Sequence, residues 1–226
     1  MKEEIIYEGK TKILLKRDEK VFLRFKNTIL GDSAGRPDPG GDFVVGEVEG
    51  KGELCAATAM KFFELLKESG IETHFLSRSG KEEVEVFLVE SIPLEVIYRR
   101  LAYGSFLRRY GTIVKPFAHL DLVEFTLKDD SLGDPLLSSS AIPMLGIATG
   151  KEVGEMRMIA RKVGEIVHEF LSSFGMELVD LKVEFGRKEG RLVLIDALNG
   201  DTMRATAGGK VLEPMELMKK LCGHVK

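Results

Sequence analysis

Three short apolar runs open the chain, at residues 5–7, 13–15 and 21–25, divided by the charged clusters EGKTK and KRDEK. Runs of this length with polar punctuation predict a small antiparallel meander. The pattern breaks over residues 28–52, where GDSAGRPDPGGD concentrates glycine, proline and aspartate. Those residues favour turns and exclude helix, so a long loop is expected, either a lid over a site or a plain surface excursion. Over residues 53–69 the positions Leu54, Ala57, Thr58, Phe62, Leu65 and Leu66 recur at helical spacing, and Gly70 stands where a helix C-cap glycine belongs. Strands follow at residues 73–76, 84–89 and 94–98, with a lobe boundary near residues 90–93. Beyond it the pattern predicts a strand at 122–127 and a loop to Pro143. An amphipathic helix over 151–174 carries Met156, Ile159, Val163, Ile166, Val167, Phe170 and Phe174 on one face. A hairpin (178–185 with 192–195) and a last helix at 214–221 complete the chain.

At 226 residues the chain makes one large domain or two small lobes around a shared cleft. Apolar residues make up 44% and charged residues 31%, a globular balance that excludes a disordered chain, a collagen or a coiled-coil rod. Lys and Arg (33) nearly cancel Asp and Glu (36), so no global basic field is available for nucleic acid. Cys55 and Cys222 are far apart and lack partners at metal-ligand spacing, which predicts a reducing compartment rather than a disulfide framework or zinc site. No apolar run reaches the roughly 18–20 residues of a membrane span, and the acidic start MKEEIIYEGK is unlike a signal peptide. The expectation is a cytoplasmic protein with no nucleic-acid or membrane partner.

Four segments carry candidate chemistry. In YEGKTK, Gly9 permits close backbone approach to a ligand, and Lys10 and Lys12 can clamp phosphate; a turn with solvated lysines is the plainer alternative. It is not a Walker A loop, since Glu4 stands where the first glycine would be and no helix follows. In PLEVIYRRLAYGSFLRRYG, Arg99, Arg100, Arg108 and Arg109 surround Gly104 and Ser105, a set suited to a phosphomonoester because guanidinium forks match phosphate oxygens. The alternative is a surface helix whose arginines pair with carboxylates. KDDSLGDP places carboxylates on a loop, itself an ordinary turn composition. In the hairpin, Asp180, Lys182 and Glu184 alternate with Val179, Leu181, Val183 and Phe185 and so share one face. Asp196 on the returning strand can join Glu184 as a pair of hard oxygen ligands for Mg²⁺ beside ATP phosphates, unless the face is simply the solvated side of an edge hairpin. Asp201, Thr202 and Arg204 follow at once.

Taken in order, YEGKTK, GIETHFL, PLEVIYRRLAYGSFLRRYG, KDDSLGDP, LVDLKVEFG and LIDALNGDTMR resemble the phosphoribosylaminoimidazole-succinocarboxamide synthetase (SAICAR synthetase) family over about residues 5–204. The resemblance implies an α+β or α/β fold of two lobes, a small β-rich ATP-binding lobe (1–90) and a larger α/β lobe for substrate and metal (91–226), with the active site in the cleft. It implies an ATP-dependent ligase joining carboxyaminoimidazole ribonucleotide to L-aspartate, with the acid activated as an acyl phosphate and ADP and phosphate released. ATP and Mg²⁺ are the implied cofactors, and a homodimer the implied assembly. Gly9, Lys10, Lys12, Glu184 and Asp196 fall at ATP positions, the last two also at the metal. Asp32, Arg99, Gly104, Ser105, Arg109, Asp134, Lys182, Asp201 and Arg204 fall at substrate positions, and Lys12, Lys182 and Asp196 carry the catalytic expectation.

The departures lie around the substrate pockets. Where the family usually reads DEISPDTCRLWD the chain reads DALNGDTMRATA, with Ala197 for Glu, Asn199-Gly200 for Ser-Pro and no Trp-Asp pair. The loop KNTILGDSAG runs into the unusual RPDPGGD, the VRN motif is Tyr98-Arg99-Arg100, the His before Asp-Pro is Gly133, and the LDKDxFR segment is unrecognisable in VLEPMELMKK. They leave open a paralogue that activates a different phosphorylated carboxylate or phosphorylates a small molecule. A non-catalytic nucleotide sensor is a third reading, disfavoured because Glu184 and Asp196 are both retained.

Overall fold

The computed structural model describes residues 3–223 apart from Ser33, Gly40 and Asp42. The chain begins with the expected meander, β1 (Glu3–Glu8), β2 (Lys12–Arg17) and β3 (Lys20–Phe25). A ribbon of β4 (Thr28–Gly31) and β5 (Phe43–Glu47) then flanks the Gly- and Pro-rich loop, part of which lies outside the described residues. Helix α1 (Lys51–Glu68) starts two residues earlier than the periodicity predicts, because Gly50 takes a left-handed conformation (φ 79°) and turns the chain directly into it. The strands β6 (Phe75–Arg78) and β7 (Glu83–Val86) complete a five-stranded sheet in the order β1-β2-β3-β7-β6. The strand expected at 73–76 is displaced because the chain around Thr73 bridges instead to Leu194 in the other half of the molecule, Leu194 N–H donating to Glu72 O at 3.1 Å and His74 N–H to Leu194 O at 3.0 Å.

The second sheet begins with the long strand β8 (Glu90–Leu101), followed by α2 (Gly104–Tyr110), β9 (His119–Leu127), β10 (Leu136–Leu137), α3 (Ala141–Met144) and α4 (Gly150–Ser172). After α4 come β11 (Glu177–Lys188), β12 (Arg191–Leu194), β13 (Met203–Ala207), β14 (Lys210–Val211) and α5 (Pro214–Cys222). The order is β10-β9-β8-β11-β13-β14 with β12 also on β11, and every ladder is antiparallel. Pro93 is tolerated inside the central strand β8 because the β8–β11 register shifts between Glu184 and Gly186, where proline has no N–H to give.

Helix α4 starts from a capping box in which Thr149 and Glu152 satisfy each other's backbone N–H groups. Its Met156, Ala160, Val163 and Val167 pack on the sheet against Val96, Tyr98 and Leu181. Gly164 lets the helix settle on the Tyr98 ring, which a Cβ would overlap. A second cluster joins α1 to Val21, Leu23, Phe25, Val84 and Val86, and also takes in Ala197 and Met218, so α5 returns from the far end of the chain to pack on α1. α4 covers one face of the larger sheet and leaves the other to form a cleft.

Candidate functional site

Antiparallel register determines which side chains meet in that cleft. Thr126, Glu95 and Glu184 align in one row across β9, β8 and β11; Glu124, Ile97 and Lys182 form the next; Leu122, Arg99, Asp180 and Arg204 form a third that reaches β13. The charged face of β11 is therefore the floor of a cleft on a central strand, and not the solvated side of an edge hairpin that the sequence had left as the alternative. Its volume is about 310 Å³, and the β1–β2 turn with Gly9, Lys10 and Lys12 forms the opposite wall.

Lysines and carboxylates pair at one end of this floor. Lys12 bonds to Asp196, Lys182 bonds to Glu95, and Lys128 donates to Glu184 at 2.5 Å. Lys10 donates to Asp130 at 2.9 Å. Burial works against the charge of Asp196, yet Lys12, with Lys182 and Lys128, outweighs it and holds the carboxyl below its ordinary value. Burial and the neighbouring Asp196 push Glu184 up. For Lys182 burial opposes the charge, but Glu95, Glu184 and Asp196 prevail and raise its pKa. Among the described residues no three acidic, histidine or cysteine side chains form a metal cage. A pair of buried carboxylates without a third fits Mg²⁺, which takes one or two carboxylates and fills its octahedron with phosphates and water. Lys128 and Glu95 were not singled out in the sequence. Alternation along β8, which puts Glu95 on the face of Arg99, and the position of Lys128 just after a strand are the signals that mark them.

Arginines dominate the other end. Arg99, 2% exposed, donates to Glu124 (2.5 Å), Asp180 (3.1 Å) and Ser105 Oγ (2.9 Å). Arg109 donates to Glu124 at 2.6 Å, and Arg204 donates to Asp180 at 2.7 Å and to Asp38 at 2.9 Å. Gly104 has φ +53°, and a Cβ there would stand 2.9 Å from Arg204 Nη1, so the glycine makes room for that guanidinium. The four arginines of the motif do not act together. Arg99 and Arg100 are consecutive on β8 and so point to opposite faces, and Arg100 does not line the cleft, whereas Arg108 and Arg109 from α2 do.

Two expectations are redirected. Asp32 does not line the cleft; its carboxylate accepts from the backbone of Ala34 and Arg36 and from the Arg36 side chain, closing its own turn, while Asp38 of the same loop reaches Arg204. Asp201 borders the cleft, but its carboxylate is buried against Lys51 at 2.6 Å. Asp134 lies on the cleft with φ 47°, and burial beside Glu95 raises its pKa.

The family model for SAICAR synthetase matches residues 5–211. The chain belongs to the SAICAR synthetase family. It is 39% identical over 222 residues to the phosphoribosylaminoimidazole-succinocarboxamide synthase of Clostridium tetani, covering 95% of this chain and 97% of that one. The synthase of Caldivirga maquilingensis is also 39% identical, over 93% of this chain and 85% of its own. Among solved structures, a SAICAR synthetase in complex with ADP superposes with a TM-score of 0.85 at 30% identity, covering 96% of this chain and 95% of that one. The synthase of Ehrlichia chaffeensis gives 0.86 at 28% identity, with 96% of each chain covered. Similarity of this extent and evenness does not favour the paralogue reading that the altered residues 197–207 had left open. Ala197 has a local explanation in this member: it is fully buried in the α1–α5 cluster, where a carboxylate would be desolvated.

Proposed function

We infer that the chain is an ATP-dependent carbon–nitrogen ligase of purine biosynthesis that forms SAICAR from carboxyaminoimidazole ribonucleotide and L-aspartate. The observation that carries the reading is the division of one cleft into a lysine–carboxylate end and an arginine–hydroxyl end, joined by Lys182. Gly9, Lys10 and Lys12 bind the ATP phosphates, and Glu184 and Asp196 hold Mg²⁺. Mg²⁺, when bound, neutralises phosphate charge. Ser105, Arg109 and Arg204 take the ribonucleotide phosphate, with Arg99 orienting Ser105 and fixing Glu124 and Asp180 beneath it. Lys182 then lies between the two phosphate sites, where the acid being activated sits, and its raised pKa keeps it cationic so that it can stabilise developing negative charge. No protein nucleophile is needed, since catalysis by positioning and charge neutralisation suffices for phosphoryl transfer.

The same reading divides the chain into an ATP-binding lobe (1–90) and a substrate lobe (91–226), supported by the sheet boundary at Glu90, with α5 returning to the first lobe. It takes the protein to be a cytoplasmic homodimer, supported by the family resemblance and by the free thiols of Cys55 and Cys222. The test is ADP release by the purified protein with Mg²⁺-ATP, the ribonucleotide and aspartate, each omitted in turn, with the product identified by mass. Turnover that persists without aspartate or without the ribonucleotide would refute the ligase assignment. Light scattering reports the assembly.

A further inference from the structure

Lys51 opens α1, and its side chain is 1% exposed. Its Nζ donates to Asp201 Oδ2 at 2.6 Å, and Cys55 Sγ lies 3.6 Å from both groups. Stability does not call for a cation here. Desolvating an ion pair costs several kcal/mol, and apolar residues of similar volume commonly do as well. The first turn of a helix also disfavours positive charge, because the macrodipole is positive at that end.

What the pair does is join two parts of the molecule that meet at the cleft. The Lys51 backbone is held beside the end of β3: its N–H donates to Val48 O in a turn after β5 at 3.1 Å, Gly52 N–H donates to Asn27 Oδ1 just past β3 at 2.9 Å, and Gly52 packs so close to β3 that a Cβ there would stand 2.6 Å from Phe25 O. Asp201 lies in the irregular segment between β12 and β13. That segment folds on itself, Asp201 N–H donating to Asn199 Oδ1 at 2.8 Å and Thr202 Oγ1 to Ala197 O at 3.1 Å. Asp196 lies at its start and Arg204 just beyond its end, so one anchor in the middle governs both.

We propose that Lys51 is a positioning residue: through Asp201 it holds the segment that places the Asp196 carboxylate and the Arg204 guanidinium at opposite ends of the cleft. The proposal rests on the reading of those two residues as metal and phosphate ligands. Removing one partner alone leaves a buried unpaired charge and confounds the result with unfolding. The informative variant is therefore the apolar double replacement K51M/D201L, studied by thermal melting, by calorimetric titration with Mg²⁺-ADP, and by steady-state kinetics. The expected result is a melting temperature near that of the parent, with Mg²⁺-ADP affinity weakened and kcat lowered by about 100-fold, the loss that misplacement by about 1 Å produces.

Every other result overturns it. Mg²⁺-ADP affinity and kcat like those of the parent would leave the pair with no positioning role. A change confined to the ribonucleotide KM would make Asp201 a direct substrate contact instead. A double variant that fails to fold would show that the pair is kept for stability. If the parent protein itself does not bind Mg²⁺-ADP, the reading of the site fails first, and that outcome is visible before any variant is made.

Discussion

Replacing Arg109 by methionine separates phosphate recognition from structural support. Arg109 is 30% exposed in its side chain and donates to Glu124 at 2.6 Å, while Glu124 is also held by Arg99 Nε at 2.5 Å. Removing Arg109 therefore leaves Glu124 paired, and the stability cost is that of a partly exposed ion pair, about 1 kcal/mol or less. A charge-assisted hydrogen bond to phosphate contributes about 1.5–3 kcal/mol. At about 1.4 kcal/mol per tenfold, the KM for the ribonucleotide rises about 10- to 100-fold. In the proposed division ATP occupies the other end of the cleft, so its KM is expected to stay within about twofold of the parent. The assay is ADP release with one substrate varied and the others saturating, beside urea unfolding of the same preparation. Arg99→Met is the contrast: it removes the fully buried guanidinium that bridges Glu124 and Asp180, leaves them to Arg109 and Arg204 alone, and costs more stability than Arg109→Met. An Arg109 variant whose ATP and ribonucleotide KM values rise equally would refute the division of the cleft.

Asp196→Asn keeps the shape of the side chain but removes the charge that faces Lys12; kcat falls by about 100-fold or more, the melting temperature falls because Lys12 loses its carboxylate, and Mg²⁺ titration of ADP binding checks the metal role. Gly104→Ala places a methyl 2.9 Å from Arg204 Nη1 at a positive φ that costs about 1–2 kcal/mol, so the ribonucleotide KM rises and the ATP KM does not; unchanged values would show that the guanidinium does not need that space. His74 is held neutral by burial, its pKa lowered to about 3. The unfolded chain takes up that proton as pH falls through about 6.5 and the folded chain does not, so stability declines from about pH 6.5 down toward 3. His74→Gln removes about 1.4 kcal/mol per pH unit from that slope, measured by urea unfolding at pH 6 and pH 5; an identical slope in both proteins would place the protonation elsewhere.

Much of the site could be read from the chain because strand parity is local. Alternation alone put Asp180, Lys182 and Glu184 on one face, and β11 keeps that parity in the structure. The same rule separates Arg99 from Arg100, although composition had grouped all four arginines together. The helices were readable wherever a stripe of apolar residues met a cap signal, as in α1 with Gly70 just past its end.

Register and return contacts lay beyond that reach. Nothing near Lys182 in sequence announces Glu95, and nothing near Lys51 announces Asp201; each pair meets only once strands and helices have packed. Asp32 matched a motif but bonds within its own turn, and Asp38 reaches Arg204 instead, a choice made by loop geometry rather than by residue type. Local patterns determine the elements and their faces, because φ/ψ preference and side-chain period act over a few residues. Which charges neutralise each other in the cleft is decided by pairing across the chain, because buried charge must find an opposite partner wherever the fold supplies one.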